Sequence, residues 1–493
     1  MTDQMRFLAF DLGAGSGRAI LGTLREGMLR TREVSRFPNA MLRLRGHHYW
    51  NIYSLYEKLR DALARAGSDP EGPPLGVAVD TWGVDFCLFA RDGSLLGLPF
   101  AYRDLRTQGM PEEFFKKIPP RRVYEKTGIQ TMAINTLFQL YAMVREKSPV
   151  LEAARTLLMM PEALSYFLSG VMRSERTIAS TSQVFNPTLG KWDPELVEIL
   201  GLPPGLLGDV GEPGRVLGPL AEDLVRETGL EGVSVVAGAG HDTAAAVAAV
   251  PAEGKDWAYI SCGTWSLIGV ELDEPLLSDA AFRMNFTNEG GVGGKIRFLK
   301  NVSGLWLLQE CRRAWGDPPY EKLVGEARLA EPFQAFLDPD WEGFLNPPDM
   351  PGAIREFCGR TGQEAPSYRG GVVRIILESL ALKYRLVLEG LEKVLGRKLS
   401  KLHLVGGGAR NELLCRFTAD ATGLPVEAGP FEATSIGNLL VQAMALGAVK
   451  DLEEIRKVVR ASFPLVPFEP GEREGWDKAL GRYREFLEKV EGI

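Results

Sequence analysis

Three glycine-rich turns and two aspartates carry the residue types from which a phosphate-handling site could be built. The first turn, Asp11-Leu-Gly-Ala-Gly-Ser-Gly-Arg18, follows a short apolar run, Phe7-Leu-Ala-Phe10. Glycines let backbone N–H groups close around an anion with no Cβ in the way. Two common phosphate loops do not fit. A Walker loop ends in Gly-Lys-Ser/Thr, where this turn has Gly17-Arg18-Ala19. The dinucleotide fingerprint G-x-G-x-x-G opens a helix, whereas these glycines stand at 13, 15 and 17 ahead of a strand-like segment. A plain β-hairpin turn accounts for the glycines equally well, but not for Asp11. A carboxylate facing a phosphate nest makes sense with a cation between them, and Mg²⁺ is the usual one.

The second turn is Ser261-Cys-Gly-Thr-Trp-Ser266, where the Thr264 hydroxyl and free N–H groups could meet phosphate; an ordinary tight hairpin is the alternative. The third, Leu404-Val-Gly-Gly-Gly-Ala-Arg-Asn411, joins a strand to a helix. Flat backbone at Gly407 could lie against a nucleotide, with a helix N-terminus behind it. Close strand–helix packing would explain one of its glycines, hardly three. In Gly238-Ala-Gly-His-Asp-Thr-Ala-Ala-Ala-Val247, Asp242 stands at a helix start. It reads either as an N-cap or as a base. The small residues around it leave space that a substrate needs and a cap does not, and an Asp accepting a hydroxyl proton is the usual base in phosphoryl transfer to alcohols.

The elements that must hold these residues follow from periodicity. Phe7–Phe10, Arg18–Leu24 and Met28–Phe37 read as a β-meander, with Glu26-Gly27 as a turn. Leu55, Leu59 and Leu63 share one face of a helix over 53–66, and Leu75–Val79 reads as a buried strand. Helical spacing covers 123–146 and 153–167, and Val233–Val236 reads as a strand. The second half starts over: strands at 257–261 and 265–271 flank a glycine turn. A proline- and glycine-rich surface excursion spans 332–351. A long helix runs over 371–395, a strand over 402–405, and a charged helix over 475–490.

Composition bounds the rest. At 493 residues the chain should hold two or three domains. Hydrophobic residues at 45% and charged residues at 25% exclude a disordered or fibrous protein. A net charge of −7 with no basic block argues against nucleic-acid binding. Five scattered cysteines without a C-x-x-C pair point to reduced thiols in a cytoplasm. The four histidines make no zinc spacing, and His47-His48 read as loop residues. The N-terminal residues lack a basic segment, an apolar core and a cleavage site, so no signal peptide is expected. No run of about 18 apolar residues exists to span a membrane.

Taken together, these blocks resemble the FGGY carbohydrate kinases, a branch of the actin-like ATPase superfamily. The matching residues are Phe10–Arg18, Val79-Asp-Thr-Trp-Gly-Val-Asp-Phe86, Ala101–Thr107, His241–Val247, Ser261–Leu267, Thr287-Asn-Glu-Gly-Gly291, Leu299–Asn301 with Gly304-Leu-Trp-Leu-Leu-Gln309, Val405–Gly408 and Gly429–Asn438. They run in order through nearly the whole chain. The D-T-W-G-V-D-F and G-L-W-L-L-Q blocks are similar to the branch acting on L-rhamnulose; the glycine turns are shared more widely.

The resemblance implies an α/β protein with two ribonuclease-H-like (actin-like ATPase) domains around a central cleft. Residues 1–248 would bind sugar and carry the base, and residues 249–493 would bind ATP and end in the C-terminal helix. It implies Asp242 as the base and Asp11 facing Mg²⁺, through water. Ala14, Gly15, Ser16, Gly17 and Arg18 would lie under the terminal phosphate, and Thr264, Gln309 and Gly407 would touch ATP. Gly83, His241, Asp242, Thr243 and Asn301 would line the sugar site, with Asp85 and Asp104 as further members. The implied reaction is ATP + L-rhamnulose → ADP + L-rhamnulose 1-phosphate. Ala409 follows the triple glycine where a Cys can occur, so no family disulfide is expected. Two alternatives stand: another ketose or polyol, such as L-fuculose or xylulose, and a non-enzymatic actin-like ATP-binding protein. Monomer and homodimer both remain open.

Overall fold

Residues 5–38 fold into an antiparallel meander, the buried apolar run of β1 (Met5–Leu12) followed by β2 (Ser16–Arg25) and β3 (Met28–Pro38). The structure is a computed structural model and describes residues 4–471 and 473–490; the first three residues of the N-terminal reading lie outside it. Glu26 and Gly27 both take positive φ, 53° and 74°, the two-residue turn that suits the twist of a hairpin. Helix α1 (Ile52–Gly67) starts where the Asn51 side chain accepts from Ser54 N–H, and it buries Leu55, Leu59 and Leu63. Strand β4 (Gly76–Thr81) pairs parallel to β1 and sets Asp80 beside Asp11.

Three expectations change in this half. Spacing over 123–146 predicts one helix, but the chain forms Pro120–Thr127 and Thr136–Arg145, because Gly128 at φ 66° ends the first in the left-handed conformation. Spacing over 153–167 predicts a helix, yet Thr156–Met159 is a strand paired antiparallel with Phe86–Phe89. Helix α2 (Met160–Ser169) begins only after it, with Pro161 in its first turn. A four-residue apolar run has no period that separates strand from helix. His47 and His48 lie not in a loop but in a short strand paired with Leu42–Leu44.

Strands β5 (Arg215–Pro219) and β6 (Ser234–Ala237) complete a six-stranded sheet of order β5-β6-β4-β1-β2-β3. The helix α3 (Asp242–Ala248) follows β6.

The chain forms two compact units. The first runs through Pro251 and also takes in Glu271–Phe298 and Ala433–Phe463; the second holds Ala252–Val270, Leu299–Glu432 and the chain from Pro464 onward. The second unit repeats the plan of the first. Strands β7 (Trp257–Cys262) and β8 (Trp265–Leu272) pair antiparallel, and β9 (Ile296–Ser303) flanks β8. Helix α4 (Trp306–Ala314) and the 27-residue α5 (Arg369–Leu395) follow. Then β10 (Lys401–Val405) pairs parallel to β7, helix α6 (Glu412–Thr422) intervenes, and β11 (Val426–Ala428) pairs parallel to β10. The expected excursion over 332–351 is instead partly core: Ala335, Phe336, Leu337 and Phe344 are buried, and Ser379 and Tyr483 hydrogen-bond the Leu337 backbone.

At Ala433 the chain re-enters the first unit as α7 (Ala433–Ala445). Gln442 donates to the Leu8 carbonyl of β1 at 3.0 Å. A Cβ on Gly437 would stand 1.8 Å from the Ala245 carbonyl, so α7 and α3 meet backbone to backbone.

Candidate active site

Asp11 ends β1 opposite Arg18 of β2, and Arg18 Nη2 pairs with its Oδ2 at 2.7 Å. Ser435 at the start of α7 donates to the same oxygen at 2.8 Å. The intervening turn is fixed by Gly13 N–H on Ser16 O at 2.9 Å, while Asn39 occupies the Gly13 and Gly15 carbonyls. Its glycines divide by cause. A Cβ on Gly17 would strike the Phe37 ring at 2.3 Å, so packing demands that glycine. A Cβ on the exposed Gly15 meets nothing within 4 Å, so packing does not require that glycine.

Asp80 is a candidate site residue that the sequence reading does not single out. It is fully buried on β4, and its Oδ2 accepts from Asn438 Nδ2 of α7 at 2.6 Å. Its Oδ1 is buried without a hydrogen-bond partner. Burial, then the Asp11 charge, hold its carboxyl well above the usual range, and Asp242 adds in the same direction. A buried carboxylate oxygen with no donor, in the field of two other carboxylates, is a place where a cation or a proton is needed. The signal for it was S-x-x-N-x-x-x-Q in α7, one helix face whose Ser435, Asn438 and Gln442 reach Asp11, Asp80 and the Leu8 carbonyl in turn.

Helix α3 begins at Asp242, and His241 occupies the cap position, so Asp242 is not the N-cap. Its Oδ1 accepts from Thr243 N–H at 2.5 Å and Thr243 Oγ at 3.1 Å. Oδ2 takes no hydrogen bond among the described residues. Burial raises the Asp242 pKa, the neighbouring Asp11 raises it further, and His241 opposes. The backbone leading into it is also held: Gly240 N–H donates to Glu175 at 3.1 Å, and His241 N–H to Thr177 at 3.3 Å.

The Gly83–Asp85 turn sits beside these groups in the first unit. A Cβ on Gly83 would meet the Thr181 side chain at 3.1 Å. Val84 takes φ 66°, a strained position for a β-branched residue. It is held by Thr181 on its N–H and Thr136 on its carbonyl. Asp85 is fully buried and accepts from Trp50, Trp82, Gln139 and Tyr102 N–H; burial still raises it to about 6. Three of these donors share Oδ2 and Gln139 alone is on Oδ1, so Asp85 ties Trp50, Trp82 and Tyr102 together. Asp104 is likewise taken up, by His47 and by the N–H groups of His48 and Arg106.

In the second unit, the turn after β7 is clamped by Gly304 N–H on the Thr264 carbonyl and Leu305 N–H on the Gly263 carbonyl. A Cβ on Gly304 would lie 2.6 Å from the Trp265 backbone, so that glycine is fixed by packing. One turn along α4, Gln309 Oε1 accepts from Thr264 Oγ at 3.2 Å. After β10, Gly406 has φ 85°, and a Cβ on Gly408 would strike Cys262 Sγ at 2.2 Å. Gly407 is exposed, with nothing within 4 Å of an added Cβ. Thus Asp11, Ala14–Arg18, Gly83 and His241–Thr243 gather in the first unit. Thr264, Gln309, Gly407 and Asn301 of β9 lie in the second.

Residues 6–249 match the N-terminal domain of the FGGY family of carbohydrate kinases, and residues 258–446 match its C-terminal domain. The chain belongs to the FGGY family of carbohydrate kinases. It is 49% identical to a rhamnulokinase of Bacteroides thetaiotaomicron over 98% of this chain and 99% of that one. It is 39% identical to a rhamnulokinase of Bacillus subtilis over 94% and 96%. Among solved structures it is similar to a gluconate kinase from Lactobacillus acidophilus (TM-score 0.82, 16% identity, 99% and 98% coverage). It is also similar to a Plasmodium falciparum glycerol kinase with ADP (TM-score 0.76, 13% identity, 99% and 97% coverage). The FGGY fold is therefore the expected mixed α/β fold of two domains, and the protein is a carbohydrate kinase.

Among the described residues of this FGGY kinase, no three His, Cys, Asp or Glu side chains stand together as a metal cluster. A cation would have the adjacent carboxylates Asp11 and Asp80 to work with, and the unpartnered Oδ1 of Asp80 fits one. No helix among the described residues is long and apolar enough to cross a membrane.

Proposed function

We propose that this kinase transfers the terminal phosphoryl group of ATP to the C1 hydroxyl of L-rhamnulose, giving ADP and L-rhamnulose 1-phosphate. The observation that carries the chemistry is Asp242: a carboxylate at the start of an alanine-rich helix, with one oxygen tied and one free. The choice of sugar is supported by the rhamnulokinases that this chain resembles over nearly its whole length. The reading locates the reaction in the cytoplasm, in keeping with five buried cysteines that are free thiols.

Phosphoryl transfer asks little covalent work of the protein; positioning and charge neutralisation supply the rate. Thr243 holds Oδ1 of Asp242, so Oδ2 accepts the proton of the sugar hydroxyl. Burial and the Asp11 charge raise the carboxyl, which makes it a stronger base than a solvated aspartate. Residues Ala14–Arg18 lie under the terminal phosphate, where Gly15 leaves room for it. Thr264, Gln309 and Gly407 hold the nucleotide, and Gly83, His241, Thr243 and Asn301 line the sugar site. Asp11, with Asp80 behind it, would hold Mg²⁺, directly or through water. When bound, Mg²⁺ neutralises charge on the phosphates.

The test is Asp242→Asn. The expected outcome is a kcat lower by roughly 10²–10⁴-fold, with ATP affinity by equilibrium binding nearly intact. A variant keeping more than about a tenth of wild-type kcat removes Asp242 from the role of base.

A further inference from the structure

Next to the base, His241 has one group at Nε2, Asp242, and two at Nδ1, Arg297 and Glu289. Its Nε2 lies 3.3 Å from Asp242 Oδ1. Its Nδ1 lies 3.0 Å from Nη2 of Arg297. Arg297 is fully buried on β9. Its Nε donates to the Gly290 carbonyl at 2.9 Å, and its charge is met by Glu289, 3.0 Å from Nη2. All of these residues belong to the first unit, which takes in β9 only as far as Phe298.

A guanidinium has donors and no acceptor, and it stays charged in proteins. Only one of the three states of the imidazole satisfies both Arg297 at Nδ1 and Asp242 at Nε2. With the proton on Nε2, Nδ1 accepts from Arg297 and Nε2–H faces Asp242. With the proton on Nδ1, that N–H could turn to Glu289 Oε2 at 3.3 Å. It would then face the Arg297 donor as well, and the Nε2 lone pair would face a carboxylate oxygen. The imidazolium again opposes a donor to Arg297. We infer that Arg297 is a positioning residue: it locks His241 as the neutral Nε2–H tautomer. That N–H then faces Oδ1 of Asp242, the oxygen that Thr243 holds, and leaves Oδ2 to the substrate hydroxyl. Glu289 keeps the buried guanidinium in place. His241 cannot then serve as the base, because its only lone pair is occupied. The inference rests on Asp242 being the base, as proposed above.

The chain has four histidines, so ¹⁵N-histidine labelling with a long-range ¹H–¹⁵N correlation resolves the tautomer, with His241→Gln assigning the signal. The expected result at neutral pH is protonated Nε2 and bare Nδ1 in the wild type, and loss of that state in Arg297→Met. An Nδ1–H or doubly protonated ring in the wild type overturns the inference whatever the kinetics. In turnover, Arg297→Met and Arg297→Lys are expected to lose about tenfold or more in kcat, from a misplaced base, with little change in the KM for ATP. The amide of Gln can place an N–H where Nε2 stands and that of Asn where Nδ1 stands. His241→Gln should therefore keep about tenfold more kcat than His241→Asn; equal activity of the two contradicts the inference. If Arg297→Met does not fold, the wild-type spectrum and the Gln/Asn pair still decide. Should the tautomer be as expected while Asp242→Asn stays active, the proposed base fails and the Arg297–His241 contact does not.

Discussion

Three carboxylates, Asp11, Asp80 and Asp242, act on one another within the first unit, and Asp80 bears the largest consequence. Burial and the Asp11 charge disfavour its ionised form, so Asp80→Asn, which keeps the shape without the charge, should leave the Tm of the ligand-free protein unchanged or raise it by about 1–3 °C. It should also shift the Mg²⁺ dependence of turnover to higher concentration. A lower Tm would show the carboxylate to be stabilising and contradict the account. Asp11→Ala should likewise displace the Mg²⁺ titration, and an unchanged curve refutes its assignment. Asp11 and Asp242 were legible in the sequence because each stands beside a cluster of small residues, although Gly17 and Ala245 turn out to be used in close packing against Phe37 and Gly437. Asp80 was not, because it sits inside an apolar strand. Only the β1–β4 register, which sets it beside Asp11, and the return of α7 with Asn438 reveal it.

At the scale of elements, the glycine turns separate into those the fold needs and those it does not. Gly408→Ala would drive a Cβ into Cys262 and should destabilise by about 1–3 kcal/mol through overpacking. Gly407→Ala and Gly15→Ala meet open space. They should change Tm by no more than about 1 °C, yet raise the KM for ATP. A variant that loses stability instead shows that packing, not nucleotide, requires the glycine. The strand–turn–strand starts of both halves were readable from alternation and turn residues. The short strand Thr156–Met159 and the buried 335–337 segment were not, because four apolar residues carry no period and a proline-rich stretch can still fill a core.

At the scale of the whole molecule, stability should depend on pH with a sign fixed by buried acids. Burial raises Glu162 to about 8 and Glu175 to about 7, above an ordinary 4.5; Asp85 moves the same way, to about 6. Between about pH 4.5 and 8 the folded chain keeps protons that the unfolded chain releases, so stability falls as pH rises through that window. Calorimetry should find a lower Tm at pH 8 than at pH 5.5, with a flatter slope in Glu162→Gln. A rising Tm would contradict the assignment. The sequence showed a second half that starts over, but not that residues 271–298 and 433–463 join the first unit. That return rests on long-range contacts such as Gln442 to the Leu8 carbonyl, which no local pattern announces.

The most direct measurement is an ADP-release assay with ATP and Mg²⁺ over a panel of ketoses and polyols, including L-rhamnulose, L-fuculose and D-xylulose. The account predicts the highest kcat/KM with L-rhamnulose. A higher kcat/KM with another sugar, or no sugar-dependent ADP release with any of them, would contradict it.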